Sequence, residues 1–252
     1  MRSRASALGV APLTEIGKVQ AVILAGGLGT RLRPYTFLLP KPMLPVGAKP
    51  ILEHIIDWLR ESGVREVVVS TGYLGRMVEE YFRDGSHLGV KIEYARANRP
   101  LGIAGQLKSA DGKIRGRFFC LYGDAMLNLD LKKLLEYHSR KRAVATMALM
   151  KYETTLKYGL IDLDGEGRVA NWKEKPTIAG HINIGCYVME RSFLKYIPRA
   201  KMYGMKEAFE RAIKAGAQVY GLKMKGEFLD IGDRRAYKEA NELYMKRMGK
   251  ML

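Results

Sequence analysis

The chain has 252 residues, is 47% hydrophobic and 27% charged, and so has the composition of a globular protein long enough for one large core. No run approaches the eighteen apolar residues of a membrane span, which excludes an integral helical membrane protein as the reading of this sequence. Its formal charge of +17 suits anionic partners; the basic residues are spread along the chain with no aromatic interleaving, so nucleotides and sugar phosphates fit better than specific nucleic-acid binding.

In chain order, residues 1–18 read as a flexible extension, with an apolar part too short and too broken by Gly9 and Pro12 for a secretion signal. The run Ala21-Val-Ile-Leu-Ala25 is a buried strand that opens into Gly26-Gly-Leu-Gly-Thr-Arg-Leu-Arg33, and Lys41-Pro-Met-Leu-Pro45 follows. Ile51, Leu52, Ile55, Ile56 and Leu59 recur at helical spacing; Glu66–Thr71 is a strand, and Leu74–Phe82 the next helix. Val90–Tyr94 reads as a strand, Gly105–Ala110 as a short helix, Arg117–Tyr122 as a strand and Leu131–Arg142 as a helix. Ala143–Met150, Gly159–Trp172, Ile182–Met189 and Ala217–Met224 are further strands, Met205–Ala215 is helical, and Tyr237–Met248 closes as a basic amphipathic helix. This alternation predicts one α/β domain over 19–252 with a mixed, mostly parallel sheet, whose ligands sit beyond the carboxyl ends of strands.

The chemistry concentrates at those strand ends. Gly26, Gly27 and Gly29 allow successive N–H groups to face one concavity and hold phosphate oxygens. Thr30 adds a hydroxyl, Arg31 a planar fork and Lys41 a mobile second cation. The spacing lacks the Gly-Lys-Ser/Thr of a P-loop and the third small residue of a dinucleotide fingerprint. An ordinary strand-to-helix turn is the plain alternative, and it does not call for Arg31 and Lys41.

Tyr122-Gly-Asp124 ends an apolar strand in a carboxylate, either a turn acid or a ligand for Mg²⁺, which prefers hard oxygens. Phe228-Leu-Asp230-Ile-Gly-Asp233 repeats the pattern: Asp230 is a second candidate ligand, and Asp233 fits a helix cap. Glu174-Lys175-Pro176 reads either as a charged loop or as an acceptor of sugar hydroxyls beside a phosphate-binding ammonium. Asn183 and Gly185, inside an apolar strand, mark close approach by a ligand or another backbone. Cys120 and Cys186 have no metal-ligand spacing and are expected as buried, reduced thiols, consistent with a cytoplasmic protein. The four histidines are scattered and show no zinc pattern.

Taken in order, Gly26–Pro34, Lys41–Pro45, Leu101-Gly-Ile-Ala-Gly105, Tyr122–Asp124, Tyr158-Gly159, Glu174–Pro176, Asn183–Gly185 and Asp230–Gly232 resemble the sugar 1-phosphate nucleotidyltransferases. The resemblance implies a Rossmann-like three-layer fold and transfer of a nucleotidyl group from an NTP to a sugar 1-phosphate, with release of pyrophosphate. It implies Arg31, Lys41 and Asp124 as catalytic, and Ala25, Gly26, Gly27, Gly29, Thr30, Leu101, Gly102 and Gly105 as nucleotide contacts. Gly159, Glu174, Lys175 and Asn183 would contact the sugar phosphate, and Asp124 and Asp230 would hold Mg²⁺. The Leu101–Gly105 segment is closest to enzymes that use GTP and mannose 1-phosphate; UTP or dTTP with glucose 1-phosphate, another small phosphate acceptor, or a binding subunit without catalysis are the alternatives. The chain departs from the family pattern at Phe228, where a tryptophan is common, and at Asp233-Arg234, where Thr-Pro is common. It also shows no C-terminal β-helix pattern. No membrane partner is expected, and homo-oligomer assembly stays open.

Overall fold

The computed structural model describes residues 15–97 and 99–248. Of the extension expected over 1–18, residues 1–14 lie outside the described part; Ile16–Lys18 form one 3₁₀ turn, and Ile16 packs against the core. Strand β1 (Gln20–Leu24) is buried at every residue and leads through the glycine loop to the short helix α1 (Tyr35–Leu38). The tight pair β2 (Pro45–Val46) and β3 (Lys49–Pro50) then starts α2 (Ile51–Glu61). Next come β4 (Glu66–Thr71), α3 (Gly75–Phe82), β5 (Lys91–Arg96), α4 (Gly102–Ser109), β6 (Phe118–Tyr122), β7 (Ala125–Leu129) and α5 (Leu131–Lys141). The second half holds β8 (Ala145–Thr155), β9 (Leu160–Leu163), β10 (Val169–Lys173), β11 (Thr177–Met189), α6 (Met205–Lys214), β12 (Val219–Lys223), β13 (Gly226–Asp230) and α7 (Arg234–Met248).

Seven strands form the main sheet in the order β12-β8-β11-β6-β1-β4-β5, and β11 alone runs antiparallel to its neighbours. The period-two alternation of β1, β4, β6 and β11 serves two cores at once. Ala21, Ile23, Val67, Val69, Phe119 and Leu121 face the layer built by α2, α3, α5 and α7. Val22, Val68, Phe118 and Cys120 face the layer of α4, α6 and the 191–196 turn. This is the expected three-layer architecture. Cys120 and Cys186, both free and buried, fall on opposite faces of the sheet. Burial drives the Cys186 thiol up to about 12 and Cys120 higher still, so neither is an ionised nucleophile.

Several elements differ from the sequence expectation: β7 is additional, β8 runs on to Thr155 instead of ending at Met150, β11 starts at Thr177 instead of Ile182, and α7 starts at Arg234 instead of Tyr237. The stretch Gly159–Trp172 is the hairpin β9–β10, because the Asp164 carboxylate accepts the N–H groups of Glu166 and Arg168 and Gly167 adopts a φ of +86°. Helix α4 begins at Gly102, three residues before the expected Gly105, because the distant Tyr203 carbonyl accepts the N–H groups of Ala104 and Gly105. Sequence periodicity carries no sign of such a remote cap. Asp233 does cap α7, accepting the Ala236 N–H at 2.9 Å.

Helix α2 anchors the sheet face beneath the cleft through Ile51, Leu52, Ile55, Ile56 and Leu59, all buried. Leu59→Ala is expected to cost about 2–5 kcal/mol in urea unfolding, the cavity-creating range for a fully buried leucine. A loss below half a kilocalorie per mole, the scale of a surface change, would show that this helix does not anchor the core.

Candidate active site

The ends of β1, β4 and β6 meet at one edge of the sheet. Each ends against a glycine-bearing turn, and the backbones there are in contact. A Cβ on Gly72 would stand 2.6 Å from the Gly26 carbonyl, and one on Gly123 would stand 2.9 Å from the Leu24 carbonyl. The glycines after these strands therefore serve close backbone packing as well as any ligand.

Within the loop the N–H groups are not equivalent. Gly26 donates to the Gln106 side-chain oxygen at 3.0 Å, so this N–H is spent on fixing the loop to α4 instead of facing the concavity expected from the sequence. Ala25 donates to the Ser70 carbonyl at 2.8 Å. Gly27 has open space where a side chain would stand. Gly29 has a φ of +61° and lies against Thr36 and Lys41, and Thr30 and Arg31 follow on a single 3₁₀ turn.

Lys41 is buried, and its ammonium donates to Asp124 Oδ2 at 2.7 Å. A buried ammonium needs such a partner, because an uncompensated charge out of water costs several kcal/mol. Asp124 sits between β6 and β7; Asp230 ends β13, which pairs antiparallel with β7 so that Asp230 lies opposite Ala125. The Ile231 N–H donates to the Asp124 carbonyl at 3.0 Å and completes the junction. The two acids, 106 positions apart by residue number, are therefore neighbours. Arg31 joins them: a Cβ on Gly232 would stand 3.3 Å from its guanidinium and 3.1 Å from an Asp230 oxygen.

Asp230 is exposed, yet the chain around it strips part of its hydration. That loss, and then the charge of Asp124, raise its carboxyl above the ordinary 3.8, while Lys41 and Arg31 pull it down. Among the described residues no three His, Cys, Asp or Glu side chains gather as a metal cage. Two facing carboxylates are a partial, hard-oxygen donor set, suited to an ion that completes its shell with phosphate oxygens and water.

Three cavities run together here. One of about 840 Å³ is walled by the glycine loop, Thr71–Met77 and Leu101–Ile103. A second of about 170 Å³ lies between Lys41, Asp124, Gln106 and Tyr122. The third, about 480 Å³, is bounded by Tyr122, Asn183 and the start of α6. Ile103 lines all three, so they form one cleft. Leu101 and Gly102 line the first, and the Tyr203 backbone clamps their turn; Gly105, predicted as a nucleotide contact, lines a different cavity with Lys108, Asp111 and Arg191.

The predicted acceptor residues do not all gather at this cleft. Asn183 reaches it, but its amide donates to the Tyr187 hydroxyl at 2.7 Å and its oxygen accepts the Gly185 N–H at 3.1 Å. Gly159 and Glu174 cluster with Trp172 at the base of the β9–β10 hairpin, and Lys175 follows with a φ of +44°. No hydrogen bond or ion pair joins Gly159, Glu174 or Lys175 to Lys41, Asp124 or the glycine loop among the described residues.

Residues 20–247 match the family model described as Nucleotidyl transferase. The chain belongs to the nucleotidyl transferase family. It is 36% identical over 222 residues to a mannose-1-phosphate guanylyltransferase of Mycobacterium tuberculosis, covering 85% of this chain and 61% of that protein. It is 33% identical over 241 residues to a UTP–glucose-1-phosphate uridylyltransferase of Synechocystis sp., covering 88% and 62%. The chain thus spans about three fifths of the length of these two relatives. A heptose 1-phosphate guanylyltransferase of Aneurinibacillus thermoaerophilus is 33% identical and covered over 97% of its length. The crystal structure of HddC from Yersinia pseudotuberculosis complexed with GMP-PN superimposes with a TM-score of 0.71 at 27% identity, covering 90% of this chain and 99% of that one. No helix among the described residues is long and apolar enough to cross a membrane.

Sequence reasoning missed several residues of this cleft. Gln106 is buried on the inner side of α4, and an amide among apolar neighbours was the available signal. Thr71-Gly72 repeats the strand-end glycine pattern already recognised at Gly26 and Gly123. Arg76, Arg96 and Arg99 make the charged lining of the largest cavity wholly basic, and nothing in their local sequence marked them.

A carboxyl raised on folding binds more protons in the native than in the unfolded state, so stability falls as pH rises above 3.8. Asp230→Asn removes that titration. In chelator-treated buffer it is expected to raise the thermal midpoint at neutral pH, with the gain vanishing below pH 3.8, where both states are protonated. A lower midpoint at neutral pH would mean that the cleft is not electrostatically strained at Asp230.

Proposed function

We propose that this chain transfers a nucleotidyl group from an NTP to a sugar 1-phosphate, forming a nucleotide sugar and pyrophosphate. The observation that carries the reading is the pair of buried Lys41 with Asp124, with Asp230 beside it, in a cleft that joins a large cavity with a basic lining to another bounded by Tyr122, Asn183 and α6. Two substrates with one charged junction between them is the arrangement a group transfer between anions requires.

In this reading the NTP lies along Ala25–Thr30 and Leu101–Gly105, with Arg31 and Lys41 on its phosphates. The acceptor phosphate, whose second pKa is near 6, is largely dianionic at neutral pH and attacks the α-phosphorus without a strong general base. The P–O bond to the β-phosphate breaks, and pyrophosphate leaves. The problem for the protein is repulsion between two polyanions, and cations that offset it in a cleft of low dielectric act more strongly than they would in water. Arg31, Lys41 and Lys175 supply that charge, and Gly159, Glu174 and Asn183 orient the sugar.

Asp124 and Asp230 would hold Mg²⁺, which when bound withdraws charge from the phosphate oxygens. Lys41, already on Asp124, holds that carboxylate in position for it. GTP with mannose 1-phosphate is the lead pair, supported by the Leu101–Gly105 segment and the guanylyltransferase relatives; UTP with glucose 1-phosphate is the second, supported by the Synechocystis relative.

A pyrophosphate-release screen of four NTPs against several sugar 1-phosphates tests the reading, with turnover expected for one pair well above the others. Asp124→Asn keeps an oxygen for Lys41, so the fold should persist while turnover drops at least about a hundredfold. Pyrophosphate release at the wild-type rate by that variant would refute the role of Asp124. Lys175→Ala should raise KM for the sugar phosphate and leave KM for the NTP unchanged; an effect confined to the NTP would contradict the acceptor role.

A further inference from the structure

The wall of the large cavity has a second side. Leu101 lines that cavity and also a different one of about 450 Å³, bounded by Gly105, Lys108, Asp111, Arg191 and Arg199. Ile103, which lines every cavity of the cleft, does not line this one.

Its charges do not balance. Asp111 is shared by two cations: Lys108 Nζ donates to Oδ2 at 2.9 Å, and Arg191 Nη2 to Oδ1 at 3.1 Å. Burial pushes the Asp111 carboxyl up, but these cations outweigh it and hold it below the usual carboxylate value, so it stays ionised. One acid between two cations leaves one positive charge over. Arg199 adds another, and among the described residues it has no hydrogen bond or ion pair. The rest of the wall is small: a Cβ on Gly112 would meet nothing within 4 Å, and Ser109 and Ala200 stand beside it.

We propose that this cavity is a second anion site, separate from the cleft, which binds a phosphoryl dianion between Arg191 and Arg199. The surplus of two positive charges matches the charge of a phosphate group at neutral pH, and a guanidinium without a partner offers the planar fork that such oxygens take. A phosphomonoester and free phosphate present the same group. The volume, within the range of small-molecule sites, has room for the organic part of an ester.

The site is coupled to the cleft because the two share a wall. Residues 199–203 run between them: Arg199 and Ala200 line the new cavity, and Met202 lines the large one. Tyr203 donates its N–H to the Leu101 carbonyl at 2.8 Å, and Arg99, in the large cavity, donates to the Ala200 carbonyl at 2.6 Å. Ala200 has a φ of +53°, uncommon for alanine, so these bonds and the surrounding packing hold the segment in place. An anion on Arg199 therefore acts on the segment that positions Arg99 and the Leu101–Gly105 turn. That this alters NTP binding rests on the proposed reaction; the anion site itself does not.

Calorimetric titration of the full chain with inorganic phosphate, and separately with glucose 6-phosphate, tests the site without turnover. Arg199→Glu, at an exposed position, should keep the wild-type circular dichroism spectrum and bind the better of the two probes at least about tenfold more weakly, with Arg191→Gln weakened in the same direction. Lys195→Glu makes the same charge change at an exposed residue outside the cavity and should bind as the wild type does. Equal binding by the wild type and Arg199→Glu, or an equal loss in Lys195→Glu, would overturn the proposal. Tighter binding of glucose 6-phosphate than of phosphate marks an ester site; equal binding marks a site that reads the phosphoryl group alone. In the pyrophosphate assay the bound probe should shift KM for the NTP about fivefold in the wild type and not in Arg199→Glu, and the same shift in both would refute the coupling. If binding depends on Arg199 but no NTP and sugar 1-phosphate pair turns over, the reaction reading fails and the anion site stands.

Discussion

The cleft depends on one ion pair, Lys41 to Asp124 at 2.7 Å, in which the lysine is buried and the acid is about one-third exposed. Burying the ammonium is tolerable only because the carboxylate is there, and the carboxylate is there only because β6 ends at Tyr122 and the chain turns at once into β7. The pairing of β7 with β13 then brings a second carboxylate, Asp230, to the first. Two acids and two cations in this space give a balanced but strained cluster, and the raised Asp230 carboxyl is its signature. Such strain is the usual condition of a site held ready for a further charged ligand.

The sheet supplies the rigidity that this cluster needs. β1, β4 and β6 are buried on both faces and run parallel, so their ends line up along one edge. Glycines after each strand let the backbones approach closely, and Gln106 ties the loop to α4 across the edge. The backbone of Tyr203 holds the Leu101–Gly105 turn and leads directly into α6, which bounds the third cavity. One continuous segment therefore touches both halves of the cleft, while the exposed outer ends of β8 and β11 stand outside this rigid frame.

How much of this was legible in the sequence follows from the range of each interaction. The first strand, the glycine loop, helix α2 and the alternation of elements are local patterns of burial and turn chemistry, and they read directly as an α/β fold. The Asp164 turn was equally local, and its Asp-Gly pair lies in full view; treating 159–172 as a single strand overlooked it. The early start of α4 was not legible, because the groups that cap it come from Tyr203, about a hundred residues away.

The candidate site divides in the same way. By itself the sequence determined which residue types are available: a glycine loop at a strand end, cations at Arg31 and Lys41, and acids at Asp124 and Asp230, each set by short-range pattern. Tertiary structure alone decided which of them meet. It closed Lys41 on Asp124 and laid Asp230 beside it, spent the Gly26 N–H on Gln106, and gathered Gly159 and Glu174 around Trp172 at the base of the β9–β10 hairpin. The physical reason is that strand pairing and sheet order are long-range contacts, fixed by burial across the whole chain and not by any residue's near neighbours.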